Sequence, residues 1–274
     1  PRADPSGGFV DKPSPIGSSP DGSPTRYARR PTSPWRRLAT IAGYVHSPAV
    51  NAEMTPERIQ MVVQGMIMFI AAIALHEFGH AWMANRLGDS TPRRQGRLTL
   101  NPMAHADPIG TLLLPLVFLV STGGLGFAWG KPVMHRSFDR KGNLLVAFAG
   151  PAMNVVLAVF VTLVHVILLK SEVITWYDKL SDALLMAVML NFILFFFNLL
   201  PAAPLDGGTV LRGLIPYGWL RAYDQYAVYA PFVLLAFMLV PQIGVIVRWP
   251  AEWMTLHLYQ VMTLIGRVPM PGHA

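Results

Sequence analysis

The chain alternates long apolar runs with short polar connections, a pattern that predicts a helical protein embedded in a membrane. Six apolar runs follow a polar N-terminal stretch, at 59–87, 109–129, 144–169, 184–200, 228–240 and 244–265. About 20 apolar residues are needed to cross the hydrocarbon core as a helix, so the first run is ample and several others are marginal. The predicted fold is an all-α polytopic membrane protein with about five or six apolar segments.

The ends and interruptions of these runs refine the picture. Thr55, Pro56 and Glu57 precede the first run and supply an N-cap, a proline at the first helical position and an acid in the first turn. Pro115 and the Ser-Thr-Gly-Gly stretch at 121–124 interrupt the second run, which favours a segment that re-enters the membrane over one that spans it. The polar connections at 89–100 and 131–135 are expected to form short interfacial strands or extended loops.

Composition agrees with a membrane protein and narrows the chemistry. Hydrophobic residues make up 53% of the chain and charged residues 14%, against about 25% charged in ordinary soluble domains. The chain has no cysteine, which excludes disulfides, thiolate nucleophiles and Cys-ligated zinc but leaves sites built from His and carboxylate. The net charge of +7 comes from basic residues beside apolar runs, which favours a lipid bilayer with anionic headgroups as the partner and not nucleic acid.

Two regions follow from the change in composition. Residues 1–57 are rich in Pro, Gly and Ser and basic, so they bury too little apolar surface to order and are predicted to be a disordered tail. Residues 58–268 are predicted to form one membrane-embedded domain, with a core at 59–214.

The most informative residues are His76, Glu77 and His80, which lie within the first apolar run. Histidines four apart on a helix are rotated by about 40° and separated by about 6 Å along the axis, so both imidazoles reach one metal ion. With Glu77 this is the H-E-x-x-H pattern, in which the Glu acts as general base for peptide hydrolysis. A chance match on a buried helix is the alternative, but a charged Glu within a span costs about 2.5 to 3.5 kcal/mol, which favours function.

A catalytic zinc needs a third protein ligand and an open position. Asp206 is the candidate, because Pro201 and Pro204 interrupt the helix just before it and set a carboxylate at membrane depth. It also fits the N-cap of a helix that runs through Arg212, and both roles are compatible. A metalloprotease whose third ligand is Glu is disfavoured, since the later glutamates lack a helical motif.

The motifs together resemble the site-2 proteases, which are intramembrane zinc metalloproteases. The resemblance rests on HEFGH at 76–80, GPAMN at 150–154 and NLLPAAPLDGG at 198–208; NPMAH at 101–105, DPIG at 107–110 and AWGKPV at 128–133 point to a compact prokaryotic branch. It implies one zinc ion per chain held by His76, His80 and Asp206, with Glu77 as catalytic acid and base. It also implies membrane-spanning protein substrates and a place in the inner or plasma membrane of a prokaryotic cell.

Three further polar residues are candidates for contact with the substrate or the oxyanion. Asn154 is expected either to donate to a tetrahedral oxyanion or to bond the backbone that Pro151 frees. His105 either faces the site from its loop or bonds the backbone, and Asn198 is expected mainly to satisfy carbonyls near the broken helix. His165 is interpreted as a packing residue.

The shared metal constrains the topology. For the His pair and Asp206 to meet, the helices at 59–87 and 184–200 should run parallel, which holds if 109–129 re-enters and leaves on one face. Most of the flanking Arg and Lys residues then share the side of the site, so the zinc is expected toward the cytoplasmic leaflet. The alternatives are a metal-binding transporter and an inactive membrane scaffold, neither of which uses Glu77 as a base.

Overall fold

The fold was taken from a computed structural model, which describes residues 55–122, 126, 128–232, 234 and 244–270. The tail predicted at 1–57 lies outside these residues except for its last three positions. The run at 228–240 falls largely outside them as well.

The regular structure of the described residues is helical. In chain order the α-helices are α1 (Pro56–Arg86), α2 (Thr91–Arg94), α3 (Leu114–Thr122), α4 (Arg140–Lys170), α5 (Lys179–Asn198), α6 (Asp206–Leu214), α7 (Leu220–Ala227) and α8 (Val245–Gly266). A π-helical turn, Pro108–Leu113, leads into α3, and short 3-10 turns occupy Pro102–Ala104 and Tyr217–Trp219.

Three of these helices, α1, α4 and α5, are long and apolar enough to cross a membrane. The prediction of an all-helical membrane protein is therefore confirmed at this level, whereas the count of five or six segments stays a prediction. Neither of the connections at 89–100 and 131–135 contains a strand within the described residues. The connection at 131–135 has no regular structure, whereas 89–100 contains the short helix α2, which was not predicted.

The start of α1 follows the predicted signals. Thr55 caps the helix, with its Oγ1 accepting a hydrogen bond from the Arg58 backbone N–H at 3.3 Å. Pro56 takes a position where its missing N–H has no helical partner, and Glu57 lies in the first turn, where the helix dipole favours an anion.

Contacts at the helix ends fix the direction of each long helix. Near the starts of α1 and α5, Lys179 Nζ donates to Gln60 Oε1 at 3.4 Å. Beyond the end of α1, Asp89 Oδ2 accepts from the Arg136 N–H, just before α4 begins, at 2.7 Å. Helices α1 and α5 are therefore parallel and α4 is antiparallel to both, as the shared-metal argument requires.

Asp89 ties the end of α1 to the segment that precedes α4. Its other oxygen, Oδ1, accepts from the Thr91 N–H at 2.9 Å. Hydrogen bonds from Thr91 and, secondly, from the Arg136 N–H lower the pKa of the Asp89 carboxyl to about 2. The carboxylate is therefore ionised, and this anchor intact, throughout the neutral pH range.

The segment between α1 and α4 turns back on itself. The π-helical turn continues directly into α3. Trp129, further along the segment, lies beside the start of the π-helical turn, where its N–H donates to the Gly110 carbonyl at 3.0 Å. Thr111 Oγ1 also donates to the Trp129 carbonyl, at 2.7 Å. Near the far end of α3, Arg58 at the start of α1 donates to the Val120 carbonyl. Residues 110 and 129 thus lie side by side, and the end of α3 lies near the start of α1.

Apolar packing holds the long helices together around two clusters. One lies between α4, α5 and α8 and includes Val166, Leu185, Phe192 and Tyr259. The second, formed by Phe69, Ile73 and Leu190, joins α1 to α5 beside the polar site described next. These contacts fix the relative positions of α1, α4 and α5, which carry most of the site.

Candidate metal centre

Three candidate ligand atoms converge where the C-terminal half of α1 meets the start of α6. His76 Nε2 and His80 Nε2 lie 3.1 Å apart. Asp206 Oδ2 is 3.1 Å from His76 Nε2 and 3.4 Å from His80 Nε2. The predicted set of two His and one Asp is thus brought together within one small volume.

The hydrogen bonds behind the two imidazoles determine which nitrogen carries the proton. His80 Nδ1 lies 2.7 Å from the Val146 carbonyl, which can only accept, so Nδ1 is the N–H donor. His76 Nδ1 lies 2.8 Å from Asn154 Oδ1. The orientation of the Asn154 amide follows from its second polar atom, which lies 3.3 Å from the Ala72 carbonyl and must therefore be the donor Nδ2. In the neutral form of each ring the proton is therefore on Nδ1, and the Nε2 lone pair faces the shared point.

This arrangement fits a bound zinc ion. Asp206 Oδ2 is buried and accepts no hydrogen bond from any described residue, although it lies beside two nitrogens. Three lone pairs that face one another repel unless a cation lies between them. Tetrahedral zinc with bonds of 2.0 to 2.1 Å requires ligand atoms about 3.3 Å apart, close to the separations found here. His residues that donate their other ring N–H to a carbonyl or amide oxygen are also typical of metal ligands.

Asp206 reaches the site through the break that the two prolines impose. Helix α5 ends at Asn198 and α6 begins at Asp206, which lies in the first turn and makes no side-chain cap. The helix expected at this position is present, while the carboxylate points to the histidines. The N-cap of α6 is Leu205 and not Asp206, so the N-cap role considered for Asp206 is wrong, whereas its role as a ligand stays a prediction.

Glu77 lies beside these atoms without belonging to the converging set. It is 8% exposed and lines a cavity of about 690 Å³. The cavity also contains His76, His80 and Asp206, and its walls include Ile73, Gly126, Ala128, Trp129, Gly130, Pro132, Val133, Leu190, Leu194, Phe197 and Asn198. A carboxylate, three metal-binding atoms and an apolar wall therefore share one space.

Two glycines allow α4 to approach the histidines. A Cβ at Gly150 would lie 2.3 Å from His80 Nε2 and 2.9 Å from His76 Nε2. A Cβ at Gly79 would lie 2.5 Å from the Ala149 carbonyl oxygen. Both glycines occur in motifs that the sequence singled out, but their steric role becomes evident only from the packing of α1 on α4.

Replacing Gly150 with Ala is expected to displace both imidazoles and weaken zinc binding by at least about tenfold, the lower bound for disturbing a ligand's orientation. Zinc retained against a competing chelator measures the effect. The matched control is Gly65→Ala on α1, where a Cβ meets only Leu119 side-chain atoms at 3.6 Å. Equal zinc retention in the two variants would contradict the expected steric block.

The three secondary candidates have different surroundings. Asn154 is fully buried, lies outside the cavity lining and bonds His76 and the Ala72 carbonyl, so it contacts neither an oxyanion position nor the carbonyl freed by Pro151. His105 bonds the Thr99 carbonyl at 2.9 Å and does not line the cavity. Asn198 donates to the Leu194 carbonyl at 2.9 Å and also lines the cavity.

His165 lies away from the site and is a buried packing residue, as interpreted. It bonds the Tyr259 hydroxyl at 2.8 Å and Ser181 Oγ at 3.0 Å. Sequence reasoning missed two contributors to the site, the Val146 carbonyl and Asn191, because neither belongs to a recognisable motif.

Comparison with known proteins identifies the family. The pattern of peptidase family M50 matches residues 166–240, a stretch that includes Asp206. "Putative zinc metalloprotease YwhC" of Bacillus subtilis is 38% identical over 193 residues, covering 68% of this chain and 84% of that protein. This chain belongs to peptidase family M50. "Putative zinc metalloprotease Rip2" of Mycobacterium tuberculosis is 30% identical over 209 residues, covering 76% of each chain.

A third relative of this M50 peptidase is "Putative zinc metalloprotease Rip2" of Mycolicibacterium smegmatis, 30% identical over 191 residues and 69% of each chain. No solved structure matches the chain significantly. The resemblance to site-2 proteases is thereby confirmed, and the chain is a membrane metalloprotease by family.

Proposed function

We propose that this M50 peptidase is an intramembrane zinc metalloprotease that hydrolyses peptide bonds in or near membrane-spanning segments of its substrates. In this proposal His76, His80 and Asp206 hold one zinc ion per chain and Glu77 is the catalytic acid and base. The observation that carries it is the convergence of two Nε2 atoms and a carboxylate oxygen beside a cavity that Glu77 also lines.

The segment at 128–133 supports a polypeptide as the substrate. The Trp129 N–H donates to the Gly110 carbonyl and the Lys131 N–H to the His105 carbonyl, so these residues bond toward the protein. The backbone of the intervening Gly130 makes no hydrogen bond within the described part of the chain. A Cβ at Gly130 would lie 2.9 Å from Glu77 Oε1. An extended substrate segment would therefore find backbone hydrogen-bonding groups next to the proposed general base.

The chemistry divides between the ion and the chain. When bound, zinc supplies Lewis acidity, which polarises a carbonyl and acidifies water. The Glu77 carboxylate takes the proton from the attacking water and passes it to the leaving amine nitrogen. Asn198 lines the same cavity, and its amide nitrogen carries two hydrogens, of which one bonds the Leu194 carbonyl. In this proposal the second donates to an oxygen of the substrate.

The cavity wall indicates what kind of segment enters. Ile73, Leu190, Leu194 and Phe197 offer apolar contacts to side chains that come from a membrane. A helical substrate hides its carbonyls in backbone hydrogen bonds, so it must unwind before cleavage. Substrates with helix-weak residues such as Gly, Pro or Asn near the bond are expected to be cut faster.

The rival functions fit the geometry less well. A transporter or a sensor that used the same metal ligands would leave Glu77 without a task in the cavity. An inactive scaffold would not need an intact ligand set together with a neighbouring carboxylate. Cleavage by the purified protein in detergent, tested on a panel of membrane-spanning segments with mass-spectrometric mapping of products, separates them. Zinc-bound protein that cuts none of a broad panel would favour the scaffold.

We further propose that the site lies toward the cytoplasmic leaflet of a prokaryotic inner membrane. The return of the chain from Gly110 to Trp129 supports a re-entrant segment, which keeps α1 and α5 parallel. The ends of the long helices nearest the site then carry most of the basic residues, namely Arg86, Arg93, Arg94, Arg97, Lys131, Arg136, Arg140, Lys141, Arg212 and Arg221. The positive-inside rule assigns that side to the cytoplasm.

Because the chain has no cysteine, single introduced cysteines can be labelled to test this orientation. A Lys170→Cys variant in intact cells is expected to react with a membrane-impermeant maleimide. Arg93→Cys, which is exposed at the other end, is expected to react only after permeabilisation. The reverse pattern would overturn the orientation without affecting the proposed chemistry.

A further inference from the structure

Asn191 is a buried polar residue that the proposed chemistry does not use. It lies on α5 between Leu190 and Phe192 and is 1% exposed. A buried amide that lacks hydrogen-bond partners costs about 1 to 3 kcal/mol. The partners of Asn191 therefore indicate what it does.

Two backbone carbonyls fix the orientations of the Asn191 and Asn154 side-chain amides. Asn191 Nδ2 donates to the Ala187 carbonyl at 2.9 Å, so its Oδ1 must face the other way. That Oδ1 accepts from Asn154 Nδ2 at 3.1 Å. Asn154 Nδ2 also faces the Ala72 carbonyl, at 3.3 Å. Only Asn154 Oδ1 is then left to accept from His76 Nδ1.

A reversed Asn154 amide would disable the ligand. If Nδ2 faced His76, the ring would have to accept at Nδ1 and carry its proton on Nε2, the atom that points to Asp206. A protonated Nε2 cannot bind a metal ion. The orientation of Asn154 therefore determines whether His76 is a competent ligand.

We infer that Asn191 is a positioning residue for the metal centre, which acts by holding Asn154 with its oxygen toward His76. The inference rests on the proposed zinc site. Without Asn191, the Asn154 amide keeps only its longer contact with the Ala72 carbonyl on that side. The hydrogen bonds from Asn191 to Asn154 and from Asn154 to His76 join α5, α4 and α1. The orientation of one proposed ligand therefore depends on the packing of three helices.

Zinc retained against a competing chelator at fixed pH tests the inference independently of proteolysis. Asn191→Leu removes both amide groups at similar volume and is expected to weaken zinc binding about three- to tenfold, less than the 10- to 100-fold typical of groups that bond a ligand directly. Asn191→Ser is expected to do the same, since its hydroxyl satisfies the Ala187 carbonyl but is too short to reach Asn154. Asn191→Asp in its protonated form keeps an acceptor for Asn154 and an O–H donor for the Ala187 carbonyl, and should retain zinc nearly as the wild type does.

Two controls separate positioning from general destabilisation. Thr255→Val on α8 removes a buried hydroxyl that donates to the Ala251 carbonyl one turn earlier, at 2.8 Å, and should leave zinc retention unchanged. In an Asn154→Ala background, Asn191→Leu should have no further effect, because the group through which it acts is gone. An equal effect of Asn191→Leu with and without Asn154 would overturn the inference, as would unchanged zinc retention in Asn191→Leu and Asn191→Ser. A wild-type protein that bound no zinc would overturn the proposed metal centre as well.

Discussion

Replacing Glu77 with Gln is expected to abolish measurable peptide-bond cleavage while zinc stays bound. Glu77 shares the cavity with the three converging atoms but is not one of them, so the amide leaves the ligand set intact. Gln cannot accept a proton from water at neutral pH, and general acid–base catalysis contributes about 10²- to 10⁴-fold. Initial rates on a membrane-spanning substrate, with zinc measured in the same samples, give both quantities.

The matched control is Glu172→Gln, which changes an exposed glutamate in the loop after α4. That variant should cleave as the wild type does. If Glu77→Gln kept more than about a tenth of the wild-type rate, the loss of rate would be smaller than general acid–base catalysis contributes. Glu77 would then not be the general base.

Replacing Asp206 with Asn is expected to weaken zinc binding by more than about 100-fold, above the range for groups that only orient a ligand. The change removes the negative charge that attracts the cation and leaves two neutral imidazoles and a neutral amide around it. Cleavage should fall with zinc content. Elemental analysis after dialysis against a chelator measures the loss.

Asp224→Asn provides the same chemical change outside the site. Asp224 pairs with Arg212 on the surface, with Arg212 Nε 2.9 Å from its Oδ1. It should keep full zinc content, because a surface ion pair contributes little to the structure. If Asp206→Asn retained zinc to the same degree, another group would have to be the third ligand.

Much of the candidate site could be predicted because short sequence patterns mark its proposed ligands. His76 and His80 are one helical turn apart, so their spacing alone puts them on one face. Asp206 is distant in sequence, yet the two prolines before it mark a break in a membrane helix, a rare feature with few alternative explanations.

The missing parts depend on packing between helices. Asn154 was considered for the oxyanion or for the backbone near Pro151, but it contacts His76 because α1 and α4 approach closely at Gly79 and Gly150. Asn191 had no motif and became evident only when α5 packed beside α4. A single sequence encodes such contacts only through the whole fold.

The loop between α1 and α4 illustrates the same limit. Its interruptions predicted a turn back into the membrane, whereas the contact between Gly130 and Glu77 depends on the pairing of Trp129 with Gly110. Within the described residues the segment at 128–135 has no regular secondary structure, so the sequence carries no period-two pattern of a strand there.

Cleavage by wild-type protein that is stripped of zinc and then titrated with it tests the central claim most directly. The chain has no thiolate to bind zinc elsewhere, so the titration reports mainly on the His76, His80 and Asp206 site. We expect cleavage within an apolar segment to disappear on stripping and to return fully at one equivalent of zinc per chain. Cleavage that persisted in zinc-free protein, or wild-type protein that bound no zinc, would contradict the account.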